Sequence, residues 1–156
     1  MAMMEGRSVF LDTNVLVYAT IHQSILHQEA QAAISDYKRK NVETWISRQV
    51  IREYLATLTR SNTFTSLGNP IPVATLAAEV QLFGNQYRIA EDNRVVTREL
   101  LDLITMIPTG GKQVHDANIV ATMLAYGIRE LLTHNTTDFA RFAPFINVVP
   151  LSAQTK

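Results

Sequence analysis

The sequence predicts an α/β fold, three layers (α/β/α) built around a mainly parallel sheet. Three observations carry that expectation. Short apolar runs alternate along the chain with segments whose apolar residues recur at three- and four-residue steps. Capping and turn residues such as Ser47, Asn93 and Gly127 sit where one kind of segment gives way to the other. No internal repeat, low-complexity stretch or composition shift divides the 156 residues, so one domain is expected over 1–156, with its core at about 8–150. Strands separated by helices are joined by crossovers, which makes the sheet parallel and places helices on its faces.

Ser8 to Leu11 reads as a short buried strand, and Thr13 onward as a helix on Val15, Leu16 and Ala19. Leu26 to Lys40 is a helix on Ala30, Ala33, Ile34 and Tyr37, with Lys38, Arg39 and Lys40 at the end where the helix dipole favours cations. Glu43 to Ile46 is a second strand. Ser47 is the N-cap of a helix to about Thr59, with Val50, Ile51, Tyr54, Leu55 and Leu58 as its stripe. Ser61 to Pro72 is turn-rich and reads as a loop or hairpin. Val73 to Phe83 is a helix and Tyr87 to Ala90 a strand. Asp92 or Asn93 caps a helix through Leu103 or Ile104, and Pro108 to Gly111 breaks the chain. His115 to Ala125 is a helix that Gly127 ends. Glu130 to Thr133 is a strand, Thr137 to Phe142 a helical turn, and Asn147 to Pro150 the last strand.

Composition narrows the chemistry. The chain is 47% hydrophobic and 18% charged, with 14 basic residues against 14 acidic ones. No global basic field announces a large duplex footprint, though a small RNA site with local charge remains open. Cysteine is absent, which excludes disulfides and thiolate metal sites. His22, His27, His115 and His134 are scattered without metal-ligand spacing, so a hard, oxygen-preferring cation is the metal to consider. The start, MAMMEGRS, lacks the pattern of a signal peptide, although Met3 and Met4 leave the true start open. No apolar run approaches the roughly 20 residues of a spanning helix. A soluble, cytoplasmic protein without membrane association is the expectation.

The acids are the informative residues. In "VFLDTNVLVYA", Asp12 stands where a core strand ends. An unpaired buried carboxylate costs several kcal/mol or gives up its charge, so Asp12 is paired, metal-bound or reached by water. Ligands of parallel sheets bind beyond the carboxyl ends of the strands. Asp138 follows the strand ending at Thr133, Glu53 lies in the helix after the second strand, and Asp116 opens the helix before the fourth. Asp116 is three, four and seven residues before Ile119, Val120 and Met123, hence on the inward stripe. Glu53 borders the buried face of its helix, and Arg60 shares its phase two turns on. Each acid also has a plainer role open to it: Asp12, Asp116 and Asp138 as caps, Glu53 as a solvated or arginine-paired acid. What weighs against four plain roles is that the topology brings all four toward one end of one sheet. Clustered carboxylates raise one another's pKa, and a divalent cation resolves the conflict. Magnesium held by carboxylates can polarise a phosphodiester oxygen and activate a water.

These motifs resemble those of PIN domains. "LDTNVLVYA" resembles the family's opening motif. "SRQVIREYLATL" resembles its Ser-x-Gln-x-x-x-Glu segment at Ser47, Gln49 and Glu53. "VHDANIVATMLAYGI" resembles its third acidic segment at Asp116, and "LLTHNTTDFARF" its terminal segment at Thr133, Asn135, Asp138 and Phe139. The resemblance runs from Val9 to Pro150. In size the chain is most similar to VapC-type toxins of prokaryotic toxin–antitoxin pairs. That resemblance implies an endoribonuclease dependent on Mg2+ or Mn2+, an RNA substrate, a VapB-type antitoxin and a homodimer. It further implies that Asp12, Glu53, Asp116 and Asp138 are the metal-binding and catalytic acids. Thr13 and Asn14 would support the site, and Asn135 would order the loop of Asp138 or contact the site.

Other readings compete. A phosphatase of the haloacid-dehalogenase type would want a second acid where Asn14 stands. A phosphate-binding glycine loop is absent. A housekeeping PIN nuclease without antitoxin, or a PIN-fold module that binds RNA or protein without cutting, remains open; the latter would be marked by missing acids, and none is missing. Arg48, Arg52 and Lys112 are either phosphate contacts or solvated charges. The helices Leu26 to Lys40 and Arg48 to Leu58 either form a groove for an antitoxin helix or pack into the core.

Overall fold

The computed structural model describes residues 6–60 and 71–151. Five strands form one sheet: β1 Ser8–Leu11, β2 Glu43–Ser47, β3 Arg88–Ala90, β4 Glu130–Thr133 and β5 Asn147–Pro150, in the order β3-β2-β1-β4-β5. Every pairing is parallel, with Phe10 opposite Trp45 on one side of β1 and Leu131 on the other. Val9, Phe10 and Leu11 are all fully buried, so the central strand is covered on both faces. Burying side chains of this size stabilises the fold by about 1.5–3 kcal/mol each.

The chain steps from β1 to β2 to β3 in one direction, then crosses over β1 to reach β4 and β5. Right-handed crossovers place α1 Thr13–Thr20, α2 His27–Arg39, α3 Arg48–Thr59 and α4 Val73–Gln86 on one face. α5 Arg94–Met106 and α6 Gln113–Ala125 pack on each other on the opposite face. The loops after β1 and β4 therefore diverge, opening a crevice between the carboxyl ends of these neighbours. α7 Thr136–Phe139 and a 3-10 turn Ala140–Phe142 follow β4.

Local chemistry explains where the elements begin and end. Ser47 Oγ accepts from the Val50 amide at 3.2 Å, and Asn93 Oδ1 accepts from the amides of Val95 and Val96. Gly127 adopts φ 71°, letting its amide reach Leu124 O and the Ile128 amide reach Met123 O. Asn41 closes α2 in the same way at φ 60°, with the Val42 amide on Tyr37 O and its own on Lys38 O; among ordinary residues asparagine tolerates that conformation best.

The departures from expectation are small and have causes. α4 continues three residues past Phe83, because Gly84 faces open space and backbone bonds alone carry the last turn. α6 begins at Gln113, two residues early, behind Lys112, which caps without a side-chain bond. Ser61 to Pro72 lies outside the described residues except for Ile71 and Pro72, and Pro72 is the N-cap of α4. α1 packs against both α2 and α3, and Ala30 and Ile34 of α2 and Val50, Ile51, Tyr54 and Leu58 of α3 are buried, as core packing requires. One cavity is bounded by α1, α2 and α4, with Leu16, Ala19, Ile34 and Phe83 among its walls and Tyr87 beside them.

Candidate active site

Asp12 is the residue after β1, and its amide continues the sheet by donating to Leu132 O at 3.0 Å. It is 6% exposed. Its Oδ1 accepts from the Thr13 amide at 2.8 Å, so it is indeed the N-cap of α1. Its Oδ2 accepts from Thr133 Oγ1 at 2.7 Å and Asn14 Nδ2 at 3.1 Å. Capping uses one carboxylate oxygen and leaves the side chain on the crevice; the two roles are compatible. Burial is the main cause that pushes the Asp12 carboxyl up to about 6, against the hydrogen bonds that favour its charged form.

A hydrogen-bonded chain runs outward from Asp12. Thr13 Oγ1 donates to Glu53 Oε1 at 2.8 Å, tying α1 to α3. Gln49, buried one turn before Glu53, donates from Nε2 to Glu53 Oε2 at 3.1 Å and to His115 O at 2.9 Å. Its Oε1 accepts from Asn118 Nδ2 at 2.8 Å. One amide side chain thus fixes Glu53 and fastens α3 to α6, the helix of Asp116. Across the crevice, Asn14 Oδ1 accepts from the His134 amide, and Thr133 Oγ1 accepts from the Asn135 amide. The Asp138 amide then donates to Asn135 O, a backbone bond; the Asn135 side chain makes no capping bond to α7 and borders the cavity.

Asp12, Thr13, Asn14, Glu53, Asp116 and Asn135 border one cavity of about 440 Å³, together with Val17, Tyr18, Ala56, Thr57, Arg60 and Phe139. Asp116 is the fourth residue of α6 rather than its cap, and is half-buried. Among the described residues no group donates a hydrogen bond to its carboxylate. Burial first, then the charges of Asp138, Asp12 and Glu53, push it up to about 6, while Arg141 acts the other way. Asp138 is exposed on α7 and does not border the cavity; its charge reaches Asp116 across the α6–α7 contact. Three of the four expected acids therefore share the cavity, and the fourth lies outside it, within reach of Asp116 by its charge. Gln49, Asn118 and Thr133 were not assigned roles from sequence. Gln49 and Thr133 lie inside the motifs, but Asn118 carries no signal of its own.

The arginines sort themselves in the same way. Arg48 makes a two-pronged pair with Glu91, at 3.0 and 2.7 Å, and holds that carboxyl below the usual range. Arg52 lies 4.0 Å from Asp92. Lys112 is exposed at the start of α6. Arg60 borders the cavity instead, and Arg141, bonded to Gln113 at 2.6 Å, stands near Asp116.

An acid-lined cleft at the switch point of a parallel five-stranded sheet is the class this fold and site define. Residues 9–144 match the family model described as PIN domain, and the chain belongs to that family. No curated protein matches the sequence. Several solved structures share the fold. A chain of VapBC2 from Rickettsia felis, bound to a DNA fragment from the VapBC2 promoter, superposes with a TM-score of 0.68 at 19% identity, over 92% of this chain and 98% of that one. DNA-bound VapBC from Salmonella typhimurium gives 0.67 at 14% identity, over 93% and 98%. VapC20 from Mycobacterium tuberculosis, a sarcin-ricin loop cleaving toxin, gives 0.66 at 19% identity, over 91% and 99%.

Gln49 supplies a prediction for the scaffold of the site. Gln49→Leu removes a buried amide that serves Glu53, His115 O and Asn118, leaving each short of a partner. A buried polar group left unsatisfied costs about 1–3 kcal/mol. We expect the urea midpoint to fall with its slope unchanged. A midpoint equal to that of the parent would mean that the α3–α6 tie carries no stability.

Proposed function

We propose that this chain is a divalent-metal-dependent endoribonuclease and the toxin of a VapBC-type toxin–antitoxin pair. The observation that carries the proposal is the gathering of Asp12, Glu53 and Asp116, from three separate elements, around one cavity at the switch point. Such a cluster works against stability, because burial first and neighbouring carboxylates second raise the pKa values of Asp12 and Asp116. Strained titrations in a cleft mark a functional site. The solved structures of similar fold, VapBC2 and the sarcin-ricin loop cleaving toxin VapC20 among them, support the same reading.

The donors around the cavity are carboxylate, hydroxyl and amide oxygens, with no thiol and no bordering imidazole. That set suits Mg2+ or Mn2+. Among the described residues no three His, Asp or Glu side chains are drawn together tightly enough to hold an ion as they stand. Binding would require the carboxylates to draw closer together. Asp12, Glu53 and Asp116 would hold the ion, with Asp138 outside the cavity. When bound, it polarises a phosphodiester oxygen and makes water a better nucleophile. The chain's own residues do the positioning. Thr13 and Asn14 hold Asp12 and Glu53 in register, and Gln49 holds Glu53 against α6. Asp116, raised by burial and by the neighbouring carboxylates, would take a proton from the attacking water.

The same reading names the partners: a VapB-type antitoxin, a second copy of the chain, and no membrane. No helix among the described residues is long and apolar enough to cross one. The test uses purified protein free of antitoxin, incubated with total RNA in EDTA, Mg2+ or Mn2+. Discrete fragments that require the metal and vanish in folded Asp12→Asn and Asp116→Asn are expected. Intact RNA under all conditions would overturn the nuclease, and cleavage that persists in both variants would move the site elsewhere.

A further inference from the structure

The cavity has an arm that the acids do not use. Glu53, Ala56, Thr57 and Arg60 fall on one face of α3 and its last turn, and all border it. The seven steps from Glu53 to Arg60 carry that face about 10 Å along the helix. Val17 and Tyr18 of α1 complete the arm. It therefore leads from carboxylates, past small apolar side chains and one aromatic ring, to a guanidinium. Arg60 is exposed and makes no ion pair among the described residues, while Arg48 and Arg52 on the same helix are engaged with Glu91 and Asp92. A cluster of acids repels a polyanion, so a substrate seated there needs a cation beyond the cluster to hold it.

We infer that this arm is a nucleotide subsite for single-stranded RNA, in which Arg60 binds the phosphate next to the scissile one and Val17, Tyr18 and Ala56 receive the nucleoside between them. The inference rests on the ribonuclease reading of the acids. The cavity, about 440 Å³, falls within the roughly 300–1,000 Å³ of small-ligand pockets. It has room for an unstacked nucleotide and not for a duplex. Unpaired bases that lie against aromatic side chains are the usual target of RNA recognition. Tyr18 is braced edge-on by His134, with ring centroids 5.5 Å apart, which fixes the ring at the cavity wall.

The test measures binding apart from cutting. A fluorescent single-stranded RNA dodecamer is titrated into the full-length Asp116→Asn protein in EDTA, by anisotropy, over a range of salt. Adding Arg60→Ala is expected to weaken binding about tenfold, as loss of one charge-assisted contact does. The salt slope should fall by about 0.7, one single-strand phosphate contact. Arg60→Lys should restore most of the affinity, and Tyr18→Ala should weaken binding while Tyr18→Phe does not. Arg94→Ala, on α5 away from the cavity, is the control expected to change nothing. In the cutting protein, Arg60→Ala should raise KM and spare kcat. Equal binding and cutting by Arg60→Ala, or equal binding of a duplex of the same sequence, would overturn the subsite and leave the ribonuclease standing. So would an Arg60→Ala effect confined to a protein partner. A parent that cuts no RNA with metal present would sink the ribonuclease reading itself.

Discussion

Asp116→Asn should yield a protein that is more stable without metal than its parent and almost without activity. Asp116 accepts no hydrogen bond from any described residue, and its charge meets those of Asp138, Asp12 and Glu53. Replacing it with a neutral amide of the same shape removes repulsion and breaks nothing. With allowance for solvent screening at a half-buried position, the gain is about 1 kcal/mol, or about 2–4 °C in Tm for a chain of this size. The activity loss is far larger. A metal site supplies several kcal/mol of transition-state stabilisation, and each 1.36 kcal/mol is about tenfold in rate, so a fall on the order of a thousandfold or more is expected. Asp12→Asn should behave differently. Its two oxygens accept from Thr13, Asn14 and Thr133, and an amide would turn a donor toward donors. That costs about 1–3 kcal/mol and offsets the relief of charge. Urea unfolding in EDTA separates the two variants. An Asp116→Asn protein less stable than the parent would show that this carboxylate is held by something other than repulsion.

The contrast between these two aspartates shows what was legible in the chain and what was not. Local signals read well. Ser47 and Asn93 cap where their side-chain chemistry says they should, Gly127 ends α6, and Asp12 closes β1. The helical phase of Asp116 alone placed it inward. Contacts between distant segments were another matter. Alternating strands and helices do not reveal strand order, so the crevice between β1 and β4 could be expected only in general. The Gln49–Asn118 bond spans 69 positions and depends on α3 meeting α6. In the sequence Arg48 reads as either a phosphate contact or a solvated charge, and the parallel register of Ser47 with Ala90 sets it beside Glu91 instead. Asp138 sits in a four-residue helix, too short for any period to tell which way it faces.

The metal-free protein should lose stability as pH rises from about 4 to 7, the reverse of ordinary acid denaturation. Asp12 and Asp116 both have folded-state pKa values raised from 3.8 to about 6. A raised carboxyl binds protons more tightly in the native state than in the unfolded one. Its contribution is therefore fully present below the unfolded pKa and is lost as pH climbs through the folded value. For buried Asp12 that is about 3 kcal/mol; for half-buried Asp116 it is smaller, since solvent screens part of it. The surface pairs that hold Asp36 and Glu91 below their usual range act in the opposite direction, but they are exposed and screened. A divalent ion bound as proposed would need the carboxylates ionised, so its affinity should rise over the same interval and restore at pH 7 to 8 what deprotonation took away. Tm measured from pH 5 to 8, with EDTA and with Mn2+, should therefore give two curves that converge at pH 5 and separate steadily above 6. Asp116→Asn should flatten the EDTA curve and shrink the gap. Parallel curves, with a gap independent of pH, would mean that the ion does not bind at these acids.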